Sequence, residues 1–122
     1  MDIKILIIDD EGPDRKGMAI ALGREGFNEV LTADTGDAGI EMVKSFQPDV
    51  ILIDVVLKEQ NGFNICKKVK ELGLKSKIIM ITGHMDAVNA KKAIQSGANE
   101  IIEKSAGFTN IGSTIKDLMI SN

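Results

Sequence analysis

"ILIIDDEG", residues 5–12, decides the fold. Four aliphatic residues run directly into three consecutive carboxylates, Asp9, Asp10 and Glu11. A strand with one wet face alternates apolar and polar residues. An unbroken apolar run belongs to a strand covered on both faces, as in a parallel sheet. Acids at the end of such a strand repel one another and lose water. A chain that keeps them there needs something to compensate their charge.

Outward from that stretch the pattern repeats. Short apolar runs at residues 3–8, 30–33, 50–53, 78–81 and 101–102 alternate with longer segments of helical spacing. Met42, Val43 and Phe46 share one helix face, as do Ile65, Val69 and Leu72, and Ile111, Ile115, Leu118 and Met119. Gly26, Gly73 and Gly97 each stand where a helical segment stops, a place for the left-handed conformation that closes a helix. The reading is five strand–helix units in one domain, residues 1–122, with no linker, repeat or low-complexity segment. The first, third and fourth runs are the most continuously apolar and belong in the centre. The second and fifth are short and flanked by charge, and belong at the edges. That gives an α/β, flavodoxin-like doubly wound fold: a five-stranded parallel sheet of order 2-1-3-4-5 with five helices. The dinucleotide-binding order would bury the weak second strand, and no G-x-G-x-x-G is present.

Composition narrows the function. The chain is 43% hydrophobic and 27% charged, enough for a core and a soluble surface, and its formal charge of −3 gives no electrostatic grip on nucleic acid. No apolar run approaches the ~18–20 residues of a membrane span, and no secretory leader pattern precedes the first strand. The single Cys66 excludes an internal disulfide and fits the reducing cytoplasm; on its helix face it reads as a small packing residue.

In an open parallel sheet, ligands bind beyond the carboxyl ends of the strands, where the connectivity reverses, here between strands 1 and 3. Strand 1 ends in Asp9 and Asp10, strand 3 in Asp54, strand 4 in Thr82 and Gly83, and strand 5 in Lys104. Strands about 4.8 Å apart bring Asp10 opposite Asp54, with Thr82 one strand further and Lys104 reaching back from the next. Magnesium is the fitting counter-ion, since it takes few protein carboxylates and completes its shell with water and phosphate oxygens. A metal, a hydroxyl and an ammonium aimed at one point are the donors that phosphoryl transfer needs, and Asp54 is the central nucleophile. Gly83 removes side-chain bulk beside that point. His84, the only histidine, is either a loop residue or a modulator of phosphoryl lifetime at the cleft rim.

This constellation, "DDE" after strand 1, Asp54 after "VILI", Thr82, Lys104 and "GANEIIEK" entering strand 5, resembles the receiver domain of two-component response regulators over essentially the whole chain. The resemblance implies that Asp9 and Asp10 are the metal-binding acids, Asp54 the phosphoacceptor, Thr82 the switch hydroxyl and Lys104 the phosphate-binding lysine. It also implies that the Val56 backbone carbonyl completes the Mg²⁺ ligands, and that a histidine kinase or histidine phosphotransfer protein supplies the phosphoryl group. No output domain fits between the fifth helix and Asn122, so the expectation is either a stand-alone receiver that binds a downstream protein target or a fragment of a larger regulator or hybrid kinase with a fused output domain.

Three positions depart from that family's usual pattern. Ser105 replaces the proline after the lysine, Lys58 the proline four residues after the phosphoacceptor, and Ile101 the aromatic residue three before the lysine. Ser105 predicts a trans Lys104–Ser105 bond and a different path after strand 5, because a cis bond outside proline costs about 2.5–4 kcal/mol. Ile101 cannot swing a ring between two poses. Signal output is therefore expected from the loop that follows strand 4, residues 83–86. Three alternatives stand beside this reading. A pseudo-receiver would use the fold only for docking. An aspartate-nucleophile phosphatase would need a second aspartate two residues after the nucleophile, where Val56 stands. A flavin or nucleotide binder would need a phosphate loop where "DDEGPD" is acidic.

Overall fold

The computed structural model describes residues 2–120. Five parallel strands, β1 (Lys4–Ile8), β2 (Glu29–Ala33), β3 (Val50–Asp54), β4 (Lys77–Thr82) and β5 (Glu100–Glu103), form one sheet in the order β2-β1-β3-β4-β5. The helices are α1 (Gly12–Arg24), α2 (Gly36–Phe46), α3 (Gly62–Glu71), α4 (Ala87–Ser96) and α5 (Ile111–Ile120). A short 3-10 turn, Ala106–Phe108, precedes α5 and had no counterpart in the sequence reading.

The unbroken apolar runs serve two cores at once. Leu6 and Ile8 of β1, Ile51 and Ile53 of β3, and Ile78 and Met80 of β4 face α2, α3 and α4. The intervening Ile5 and Ile7, Val50 and Leu52, and Ile79 and Ile81 face α1 and α5. β3 is buried throughout, whereas β2 and β5 keep exposed positions, as edge strands should. Burying each of these large aliphatic side chains contributes about 1.5–3 kcal/mol. Cys66 is buried in the α2–α4 core, and burial pushes its thiol pKa up.

Helix boundaries follow local chemistry. Pro13 opens α1, where its missing N–H costs nothing. Thr35 and Asp86 accept a hydrogen bond from the third residue beyond them, at the starts of α2 and α4, and Asn61 accepts one from Phe63 at the start of α3. Gly26, Gly73 and Gly97 take φ of 93°, 73° and 93°, the left-handed stops expected of them. Gly62 answers a different need. A Cβ there would lie 2.0 Å from the Asp54 carbonyl oxygen, so only glycine lets α3 start against the end of β3.

Candidate functional site

Side-chain alternation sorts the polar strand ends into two groups. β1 and β3 pair Ile8 with Ile53, so the next residues, Asp9 and Asp54, stand opposite each other. Both follow the parity of residues that face α1 and α5. Lys104 shares the parity of Ile102 and reaches the same side. Its Nζ donates to Asp54 at 2.7 Å, to Asp14 at 2.6 Å and to Asp9 at 3.4 Å. Asp54 Oδ1 accepts the Val56 N–H at 2.9 Å. Asp9 Oδ1 accepts the Glu11 N–H at 2.9 Å, and Arg15 donates to the Asp9 carbonyl at 2.9 Å.

The expected facing of Asp10 and Asp54 is corrected by this register. Asp10 has the opposite parity. Its carboxylate accepts the Lys58 N–H and borders an open cleft of about 360 Å³, whose rim includes Thr35, Asp37 and Gln60. Asp9 is the wholly buried acid. Burial raises its pKa to about 6, the nearby Asp54 charge adds to the rise, and the Glu11 N–H and Lys104 only partly offset it. For Lys104, burial disfavours the charged form, but Asp14, Asp54 and Asp9 outweigh it and hold the pKa above the usual lysine value. The positive charge expected to compensate the acids is thus supplied by Lys104.

The second group lies on the α4 side. Thr82 is buried at the end of β4. Its Oγ1 donates to the His84 carbonyl at 3.0 Å and accepts the His84 N–H at 3.2 Å. Glu103, with the parity of Ile101, accepts the Met85 N–H at 2.7 Å. The hydroxyl of Thr82 is therefore engaged by the β4–α4 loop. The His84 side chain is 82% exposed and lies 3.8 Å from Asp86, so its part in this group is played by its backbone. Gly83 does not need to be glycine: a Cβ there would meet nothing within 4 Å, and its φ is not left-handed. Ile101 is half-buried against the α2–α4 core.

The Lys104–Ser105 peptide is trans, as are the other described bonds. The path after β5 is fixed by side chains instead: Ser105 Oγ donates to Asn110 at 2.8 Å, and Asn110 Nδ2 donates to the Glu103 carbonyl at 2.9 Å. Phe108, at φ 54°, lays its ring against α1 where Gly17 leaves room.

The donor set suits a magnesium ion in kind. Asp9, Asp10, Asp54 and the Val56 carbonyl are all hard oxygen ligands, and the wholly buried Asp9 stands across neighbouring strands from Asp54. The arrangement is not closed around a metal. Asp10 is turned onto Lys58 and Lys104 holds Asp54, and among the described residues no three acidic, histidine or cysteine side chains converge as a ready ligand group. Such a site fits an ion that binds few carboxylates and keeps its waters.

A parallel sheet of this order, with an acid pair, a central aspartate, a threonine and a lysine at its mouth, defines a flavodoxin-like α/β domain with a charged site at the ends of its central strands. The comparisons with known proteins name the family: residues 5–116 match the response regulator receiver domain, and the chain belongs to that family. It is 26% identical over 119 residues to the alkaline phosphatase synthesis transcriptional regulatory protein PhoP of Bacillus subtilis, covering 98% of this chain and 49% of that protein. It is 30% identical over 102 residues to the DNA-binding response regulator MtrA of Mycolicibacterium paratuberculosis, covering 83% of this chain and 44% of that protein. The chain thus spans about half the length of such curated relatives. Among solved structures, the receiver domain of the putative response regulator NarL from Mycobacterium tuberculosis superposes with a TM-score of 0.89 at 27% identity, covering 98% of both chains. A CheY-like receiver domain protein from Methanospirillum hungatei does so at 0.88 and 26%, covering 98% of this chain and 94% of that one.

Sequence reasoning missed Asp14, Gly62 and Glu103. Asp14 carried a faint signal, an acid in the first turn of the helix after "DDE". Nothing in the sequence brings it to a lysine ninety positions away.

Proposed function

We propose that this receiver domain accepts a phosphoryl group on Asp54 from a phosphohistidine of a histidine kinase or phosphotransfer protein, in a Mg²⁺-dependent reaction. The observation that carries the reading is the contact of Lys104 with Asp54 and Asp9 at the mouth of the central strands. An Asp54 carboxylate oxygen attacks phosphorus as the phosphorus–nitrogen bond breaks, and the imidazole departs with that electron pair. The Val56 N–H holds Oδ1 and so fixes the direction of attack. Lys104 keeps a positive charge beside the developing phosphoryl oxygens. Asp9, Asp10, Asp54 and the Val56 carbonyl would hold the metal. The metal supplies charge neutralisation and alignment of the phosphoryl oxygens.

Phosphorylation adds roughly −1.5 to −2 charges at Asp54. Thr82 then leaves the His84 carbonyl to donate to a phosphoryl oxygen, and the β4–α4 loop follows. That displacement is the signal read by a protein target or a fused output domain. Turnover as a phosphatase is disfavoured because exposed Val56 stands where an acid–base aspartate would be needed. No described helix is long and apolar enough to cross a membrane, and Cys66 fits action in a reducing cytoplasm. The test is incubation with acetyl phosphate and Mg²⁺ followed by intact mass. One added phosphoryl group is expected on the native chain and none on Asp54→Asn. Equal uptake by both would refute the assignment.

A further inference from the structure

Lys104 is held by one more carboxylate than phosphoryl chemistry calls for. Asp9 and Asp54 approach it from the sheet. Asp14 approaches from the first turn of α1 and makes the closest of the three contacts, at 2.6 Å. An ammonium carries three N–H donors, and three carboxylates take them. No donor is left over for a phosphoryl oxygen. Asp14 is also the outermost of the three, with its side chain 26% exposed against 9% for Asp54 and 0% for Asp9. It is the one of the three nearest to solvent, and Pro13 fixes the backbone that delivers it.

We propose that Asp14 is a positioning residue that restrains Lys104, competing with the phosphoryl group for the ammonium and so weakening the grip of the site on phosphoryl and its mimics. The inference rests on the reading of Asp54 as phosphoacceptor. Once Asp54 carries the phosphoryl group as an acyl phosphate, its bridging oxygen loses charge and becomes a poorer acceptor. Asp14 does not change. The ammonium is then shared between the phosphoryl oxygens and Asp14, and each N–H held by Asp14 is withheld from the phosphoryl group. The Asp14 charge also opposes the arrival of an anion at the same rim. Asparagine at this position keeps the shape and an acceptor oxygen and removes only the charge, which separates restraint from packing.

The test is titration of the full chain with beryllofluoride in excess Mg²⁺, followed by amide shifts. Asp14→Asn should bind about 5–10-fold more tightly than the native protein, the scale of one charge-assisted hydrogen bond redistributed. Asp14→Ser should shift the same way, which guards against a local misfold in one variant. Asp14→Glu, which keeps the carboxylate, should stay within about twofold of native. Unchanged or weaker binding in both Asn and Ser variants overturns the proposal. So does equal tightening in all three, which would assign the effect to the helix surface rather than to the carboxylate. Native protein that binds beryllofluoride while the variants fail to tighten refutes the restraint alone. Native protein that neither binds it nor takes phosphoryl from acetyl phosphate refutes the phosphoacceptor reading, and the restraint with it.

Discussion

The two sides of the sheet mouth are built from different materials. Toward α1 and α5, charge meets charge: Asp9, Asp14 and Asp54 converge on one ammonium, in contacts that are largely buried. Toward α4, hydrogen bonds to backbone take their place: the buried Thr82 hydroxyl and the exposed Glu103 carboxylate each bond the backbone of the β4–α4 loop, at His84 and Met85, and Asn89 donates to the His84 carbonyl. Buried charge pairs are costly to break, because each leaves an ion without water or partner. Single hydrogen bonds near water exchange cheaply, at about 0.5–1.5 kcal/mol. The first side is suited to hold chemistry in place and the second to move in response to it.

The sharpest way to break this contrast is to remove the cation. Lys104→Met leaves Asp9 and Asp54 facing each other across neighbouring strands. Metal-free protein should lose about 2–4 kcal/mol at about pH 8, somewhat less than a fully buried pair because the ammonium is partly wet. Urea denaturation measures it. The loss should shrink at about pH 5, where Asp9 takes up a proton. A loss below about 1 kcal/mol at the higher pH would mean that the two sides do not differ as described.

Asp9 gives a smaller and more specific effect. Its folded pKa of about 6 lies above the ordinary aspartate value of 3.8, so between them the native state holds the proton more often than the unfolded chain does. The contribution is fully present below about pH 4 and is lost as pH rises through about 6. Stability of metal-free protein should fall by about 1–3 kcal/mol across that window from this group. Asp9→Asn should flatten the slope there and be the more stable protein above it. Asp9 rather than Asp10 faces the Asp54 charge, because Ile8 pairs with Ile53 and the next residue of each strand follows suit.

Much of this was legible in the sequence. Apolar runs gave the strands, their continuity gave the order, and the strand-end rule brought Asp9, Asp54, Thr82 and Lys104 to one edge of the sheet. What failed was finer. Matching Asp10 with Asp54 used strand spacing but ignored side-chain parity, and parity with register decides which of two adjacent acids faces across. The partners of Asp14 and Glu103 could not be read, because they are set by how α1 and the β4–α4 loop pack. Gly62 looks like an ordinary turn glycine until the Asp54 carbonyl is found where its Cβ would be.

The division of labour is tested most directly by amide shifts recorded with and without beryllofluoride in the presence of Mg²⁺. The account predicts the largest changes at residues 82–90, as Thr82 exchanges the His84 carbonyl for the phosphoryl mimic and the loop moves. It predicts smaller changes around Ile101, which has no ring to turn. A response centred on β5, with residues 83–86 unmoved, would contradict it.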